Sequence, residues 1–215
     1  MIPDQLAMWD RKHGLGEHAV YREGPLPFAE RVEPLFPRTA EVLELGCGVG
    51  GDAYFFATKG HHITATDYSG VVIKQNHELR QHPTLKYSVL DLTEVLPCET
   101  ESVDVVYAHL SLHYYDHETT KTVFAEIARV LKLGGLLCFA CKSIQDSDYG
   151  KGEEVEPNLF ISAKGHVRHF FTSEYVEELM SGLFEIETID ESEEHYVNKT
   201  AAFVRCIARK AGNHE

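Results

Sequence analysis

The 215-residue chain is short of basic residues: 20 Lys and Arg stand against 34 Asp and Glu, a formal charge of −14. A surface of that sign repels nucleic-acid phosphates, whose neutralisation supplies most non-specific affinity, and it suits anionic membrane surfaces no better. Neither nucleic-acid nor membrane partners are expected. No stretch approaches the roughly 20 apolar residues that span a bilayer, and the start, Met1-Ile2-Pro3-Asp4-Gln5, lacks the basic-then-apolar order of a secretory signal. Cysteines number five, odd and scattered, which argues for reduced thiols in a cytoplasmic protein rather than a disulfide framework. Cys138 and Cys141 form a C-x-x-C, but inside the apolar run Leu136-Leu137-Cys138-Phe139-Ala140-Cys141. Residues three apart on a strand point to opposite faces, so no metal is expected there.

With 43% hydrophobic residues, the chain suffices for one α/β domain. Residues 1–38 read as a helical lead-in, with Pro27–Phe36 helix-like and Pro37 as its stop. From Glu41 strands and helices alternate. Strands are expected at Glu41–Leu45, His62–Thr66, Leu85–Leu90, Val103–Ala108 and Leu136–Cys141. Helices are expected at Gly51–Lys59, with Tyr54 to Ala57 facing a core, at Ser69–Leu79 with Ser69 as N-cap, and at Thr119–Leu131, ended by Gly134-Gly135. After a helix near Ser173–Met180 the rhythm breaks: Phe184–Ile189 and Ala201–Ala208 follow without a helix between them and read as an antiparallel hairpin. The fold expected is a Rossmann-like, doubly wound, mostly parallel seven-stranded sheet closed by a C-terminal antiparallel hairpin. The stretch 142–171 reads as one long irregular insertion at the carboxyl edge of the sheet, where such segments cover ligands.

The chemistry concentrates in Val42-Leu43-Glu44-Leu45-Gly46-Cys47-Gly48-Val49-Gly50-Gly51, a buried strand feeding a glycine turn and a helix. Gly46 and Gly48 let the backbone turn and approach a ligand where a β-carbon would clash. Read alone, the glycines equally satisfy the G-x-G-x-x-G dinucleotide fingerprint, which leaves a nicotinamide-dependent oxidoreductase as an alternative. Glu44 beside the turn would repel a pyrophosphate and tolerate a cation. Asp67 ends the second strand and suits ribose hydroxyls; Asp91 ends the third and can accept from an adenine amino group. Alone, Asp67 could cap a helix and Asp91 a turn. Their placement at consecutive strand ends favours the ligand reading.

Glu44-Leu45-Gly46-Cys47-Gly48, Asp67-Tyr68-Ser69, Leu90-Asp91-Leu92, Asp104-Val105-Val106-Tyr107 and Leu131-Lys132-Leu133-Gly134-Gly135 resemble, in order, the motifs of the class I S-adenosylmethionine-dependent methyltransferases. The resemblance covers roughly residues 40–140. It implies S-adenosylmethionine as cofactor, with Gly46 and Gly48 lining it, Asp67 on the ribose, Asp91 on the adenine and His109 beside the methionine portion; Tyr68 and Leu92, next to the two aspartates, join the candidate cofactor residues. The N-terminal Met8-Trp9-Asp10-Arg11-Lys12 resembles small-molecule enzymes of the tellurite-resistance type, in which this segment lids the cofactor. That makes Trp9, through cation–π attraction to a sulfonium, and Arg11, through the methionine carboxylate, candidate cofactor residues; Trp9 could equally staple the lead-in to the core.

Methyl transfer from a sulfonium is an in-line displacement from an activated leaving group, so alignment and exclusion of water carry most of the catalysis. A base is needed only where the acceptor holds its proton near neutral pH. Among 13 histidines, His113 follows the fourth strand and His166 and His169 lie in the insertion, which makes them the candidate bases; each could instead be a solvated loop residue. His113, Asp116 and His117 lack a fourth metal ligand. The expected function is methyl transfer to a small-molecule acceptor, with a non-catalytic S-adenosylmethionine-binding subunit as a further alternative. An Asn/Asp-Pro-Pro-aromatic turn of nucleic-acid amino-methyltransferases is not present after the fourth strand, where Ala108-His109-Leu110-Ser111 stands.

Overall fold

A computed structural model describes residues 4–16, 24–196 and 199–212. The helices are α1 (Leu6–Gly14), α2 (Pro27–Val32, running into a 3₁₀ turn at Glu33–Leu35), α3 (Gly51–Thr58), α4 (Gly70–Leu79), α5 (His117–Val130) and α6 (Ser173–Met180). The strands are β1 (Glu41–Leu45), β2 (His62–Asp67), β3 (Leu85–Val89), β4 (Val103–His109), β5 (Leu131–Lys142), β6 (Glu153–Glu156), β7 (Leu159–Ile161), β8 (Val167–His169), β9 (Phe184–Tyr196) and β10 (Lys199–Lys210).

Seven strands form one sheet in the order β3-β2-β1-β4-β5-β10-β9. The five from β3 to β5 are parallel, and β10 pairs antiparallel with both β5 and β9. The expected architecture is therefore the observed one. Its consequence for function lies at β1. The chain runs outward from β1 to β2 and β3, then returns to β1's other side for β4. The carboxyl ends of β1 and β4 thus flank a crevice, the usual place for a ligand in an open α/β sheet.

Apolar residues of the strands pack both faces. One core joins Leu43, Leu45, Val106, Phe139 and Cys141 to Phe124 and Ile127 of α5 and Val176 and Leu179 of α6. The other joins Val42, Val105, Tyr107, Cys138 and Ala140 to Phe28 and Val32 of α2 and Ala53 and Phe56 of α3. Each fully buried leucine or phenylalanine contributes on the order of 2 kcal/mol. Cys138 and Cys141 fall in different cores, as their spacing on a strand demands. Side-chain caps start the later helices: Ser69 accepts from Val72 N, Asp116 from Thr119 N and Thr172 from Tyr175 N.

Several expectations need correction. Residues 142–171 are not one irregular stretch: β6, β7 and β8 form a separate three-stranded antiparallel sheet. The strands are only three or four residues long, and Glu153-Glu154-Val155-Glu156 shows no apolar alternation to betray them. Gly134-Gly135 does not end a helix. α5 stops at Val130, Leu131 already pairs with Val103, and a register shift between Val103 and Val105 absorbs the glycines, with Gly134 at φ +70°. In α3 the expectation holds: Ala53, Phe56 and Ala57 are buried in the core, and Tyr54 and Phe55 pack against it half-buried. The terminal hairpin is longer than expected, with β9 of 13 residues and β10 of 12. No helix among the described residues is long and apolar enough to cross a membrane.

Candidate active site

A cavity of about 600 Å³ opens where the carboxyl ends of β1 to β4 meet α1, α2 and β10. Its floor is the turn after β1. Gly46 and Cys47 both donate their N–H to Thr66 O, at 2.8 and 2.7 Å, which folds the chain back against β2. Gly46 stands at φ +76°, and a Cβ there would lie 2.3 Å from Ser111 Cβ. Glycine is thus required twice over, by conformation and by the approach of the loop after β4. Ser111 in turn donates to Leu45 O at 2.5 Å.

Asp67 binds this turn from the end of β2. Its Oδ2 accepts from Gly48 N at 2.8 Å and its Oδ1 from Ser69 N at 2.9 Å. The carboxylate therefore holds the glycine loop and the start of α4 while lining the cavity. Asp91 lines it from beyond β3 and accepts from the Thr93 N–H and hydroxyl through Oδ1. Tyr68 also lines it, its hydroxyl donating to Asp4 at 3.0 Å.

Glu44 lies beneath the turn, 3% exposed, and its Oε2 has no hydrogen-bond partner. Burial, reinforced by Asp52 and Asp67, pushes its pKa well above the usual carboxylate range. A buried carboxylate oxygen left without a donor costs free energy that a cationic or hydrogen-donating ligand would recover. Asp52, in the first turn of α3, completes the acidic floor. It accepts from Leu26 N and from the Tyr107 hydroxyl, each at 2.7 Å, and burial raises its pKa to about 6.

Helix α1 closes one side. Asp10 accepts from the Ser69 hydroxyl at 2.6 Å, and Gln75 of α4 donates to His13 O at 3.3 Å. Just before the helix, Gln5 donates to Gly165 O at 2.9 Å and accepts from Val167 N at 3.2 Å, which ties the N-terminal segment to the insertion sheet. Trp9 packs edge-on against Tyr114 at 5.1 Å and His166 at 5.7 Å.

Of the expected cofactor residues, Trp9, Glu44, Gly46, Gly48, Asp67, Tyr68, Asp91, Leu92 and His109 all line this one cavity. Arg11 does not; it is exposed on α1. Nor do the three expected bases. His113 is 1% exposed, its Nδ1 buried without a partner among core residues. His166 stands behind Trp9 and stacks on Tyr114 at 5.7 Å. His169 is buried, its Nδ1 3.2 Å from Tyr115 O. Burial holds all three neutral, with His166 down to about 3, His169 to about 4 and His113 well below its ordinary value. They form the wall behind Tyr114 and Tyr115 rather than the surface a ligand meets. Among the described residues no three His, Cys, Asp or Glu side chains converge as metal ligands would.

Residues that sequence reasoning missed include Asp52, Tyr115, Phe28, Phe203 and Arg205. Asp52 carried a usable signal, an acidic residue directly after the glycine turn. The last three lie far from the motifs in sequence and reach the cavity only through the sheet order.

Residues 43–139 match the family model for a methyltransferase domain. Of curated proteins, malonyl-[acyl-carrier protein] O-methyltransferase from Enterobacter lignolyticus is 27% identical over 155 residues, covering 71% of this chain and 58% of that protein. The chain thus spans a little over half the length of this relative. Among solved structures, a Methanosarcina mazei S-adenosylmethionine-dependent methyltransferase superposes with a TM-score of 0.71 at 20% identity, covering 87% of this chain and 99% of that one. A Burkholderia thailandensis 1,6-didemethyltoxoflavin-N1-methyltransferase, solved with its substrate and S-adenosylhomocysteine, gives 0.72 at 19% identity, covering 96% and 87%. The chain shares the fold of these two methyltransferase structures.

Proposed function

We propose that this protein transfers the methyl group of S-adenosylmethionine to a small-molecule acceptor. One observation carries the reading: Glu44, Asp67 and Asp91, from the ends of three adjacent strands, share one cavity with the bare backbone of Gly46 and Gly48. The donors and acceptors fit the cofactor. Asp67 suits the ribose hydroxyls, Asp91 the adenine amino group with Tyr68 and Leu92 beside it, and the orphaned Oε2 of Glu44 a cationic amino-acid end. Asp52 and Asp67 beside the glycine turn disfavour a pyrophosphate there, which tells against the nicotinamide alternative.

When bound, the cofactor supplies an electrophilic methyl whose transfer needs no nucleophilic side chain. The protein's own task is to hold, orient and exclude water. Trp9 and Tyr114, packed edge to face, screen the cavity from solvent on the α1 side, so residues 1–38 act as a lid and 142–171 as the acceptor-side insertion of a single domain. Where the acceptor must lose a proton, His109 is the histidine at hand after β4. Burial, with Arg205 and Lys142 nearby, lowers its pKa to about 3, so its ring stays neutral and can accept a hydrogen bond from the acceptor, but it is a weak base for carrying the proton away. A small-molecule acceptor accords with the toxoflavin-type substrate of the Burkholderia neighbour. All five cysteines are free thiols, in keeping with a cytoplasmic setting.

The test pairs calorimetric titration of S-adenosylhomocysteine and NADH with transfer of labelled methyl to a panel of thiols, amines, phenols and carboxylic acids. Micromolar S-adenosylhomocysteine binding with turnover of one class is expected. Preference for NADH would refute the cofactor assignment, and binding without turnover across the panel would make this a non-catalytic binding subunit.

A further inference from the structure

Six carboxylates line the cavity: Asp4, Glu44, Asp52, Asp67, Asp91 and Asp116. Against them stands Arg205, the one Lys or Arg side chain in the lining among the described residues. Five of the six acids accept from the protein's own donors: Asp4 from Tyr68, Asp52 from Tyr107, Asp67 from Gly48, Asp91 from Thr93 and Asp116 from Thr119. Their oxygens are committed in large part to building the site. Arg205 is placed differently.

It lies on β10, opposite Ala140 of β5. Strands in a sheet are about 4.8 Å apart. Three steps in the order β1-β4-β5-β10 therefore put Arg205 roughly 14 Å across the sheet from the glycine turn, and a fourth step puts it about 19 Å from Asp67 at the end of β2. The adenosyl end of the cavity is the β2–β3 side. Arg205 is at the other end, past β4.

Its surroundings there are aromatic. The guanidinium lies 5.0 Å from the Phe203 ring centre, and Lys142 Nζ stands 4.8 Å from the same ring. His109 sits between Phe203 at 6.4 Å and Phe28 at 6.0 Å. Phe28 and Phe203 are both nearly buried yet line the cavity. The guanidinium is also steadied from behind, donating to the Ser192 hydroxyl and standing 3.8 Å from Asp190, which pairs with Arg31 at 2.7 Å as well.

The geometry points to an acceptor that is a flat-bodied acid: an anionic group, carboxylate or phosphate, set on Arg205, with an apolar ring-like body against the wall that Phe28, His109 and Phe203 form. Arg205 is the one cation of the lining among the described residues, so it favours an anion at this end over the acidic opposite end and sets which way round the acceptor lies. The inference rests on the methyltransferase reading, since it takes the β2–β3 end to be filled by the cofactor. The same guanidinium chemistry could instead serve the cofactor's own carboxylate, and the experiment separates the two sources.

Wild-type protein is first titrated with S-adenosylhomocysteine, then, when saturated, with benzoate and with its neutral isostere benzamide. Benzoate is expected to bind at least tenfold more tightly than benzamide. In Arg205→Met that preference falls below threefold, Arg205→Lys retains part of it, and S-adenosylhomocysteine affinity stays within threefold of wild type in both variants. Equal binding of benzoate and benzamide to the wild type overturns the proposal without recourse to any variant. A tenfold or greater loss of S-adenosylhomocysteine affinity in Arg205→Met overturns it too, assigning the guanidinium to the cofactor carboxylate. A wild type that ignores S-adenosylhomocysteine in the first titration sinks the methyltransferase reading itself, and this inference with it.

Discussion

Replacing Asp67 by asparagine changes one atom and should damage two things at once. In the native structure both carboxylate oxygens receive backbone amides, Gly48 N at 2.8 Å and Ser69 N at 2.9 Å. The asparagine keeps one oxygen. Whichever amide it serves, the other then faces an NH₂ group. A hydrogen bond to a charged acceptor is worth about 1.5–3 kcal/mol, and a buried N–H left unsatisfied costs about 1–3 kcal/mol. The unliganded protein should lose about 2–4 kcal/mol, which for a chain of this size lowers Tm by about 5–15 °C. Binding should suffer separately, because the ribose hydroxyls proposed to donate to Asp67 lose their charged acceptor. A loss of about 2–3 kcal/mol corresponds to a 30- to 150-fold weaker Kd. Thermal unfolding without ligand and calorimetry with S-adenosylhomocysteine read the two effects independently. An Asp67→Asn protein that binds S-adenosylhomocysteine within threefold of wild type would refute the ribose assignment, whatever its Tm.

Gly46→Ala should destabilise by about 3 kcal/mol or more, through strain at φ +76° and the 2.3 Å approach to Ser111 Cβ. Adding Ser111→Gly removes the clash and leaves the strain, so chemical denaturation should show more than half the loss restored; no recovery would mean the clash is not the cause. His169 has a folded pKa of about 4, below its ordinary 6.5. The unfolded chain therefore binds the extra proton, and the stability His169 confers is full above pH 6.5 and lost as pH falls toward 4. Between pH 8 and pH 5 that loss is about 2 kcal/mol. Urea unfolding at both pH values should show His169→Gln losing about that much less than the wild type, and parallel losses would contradict the buried, neutral ring.

How much of this was legible in the sequence follows from how local each signal is. β1 to β5 are buried parallel strands, and such strands announce themselves as short apolar runs between turn residues. The glycine turn, Asp67 and Asp91 follow directly from those runs, so the cofactor side could be read along the chain. The acceptor side could not. Phe28, His109 and Phe203 are distant in sequence and meet because β10 inserts beside β5. The orientation of the histidines was illegible for a different reason. His113, His166 and His169 were placed correctly near the site, but residues in loops and three-residue strands have no periodicity to say which way a ring points, and these point inward.

Helix α1 is a rod of nine residues, about 13 Å long. Asp10 and His13 fasten it to the β2–α4 side of the cavity, while Asp4 and Gln5 at its head hold Tyr68 and the turn before β8. So short a rigid piece cannot swing at one end without dragging the other. Through Gln5 alone, then, a displacement of α1 from the β2–α4 side would also pull on the turn before β8.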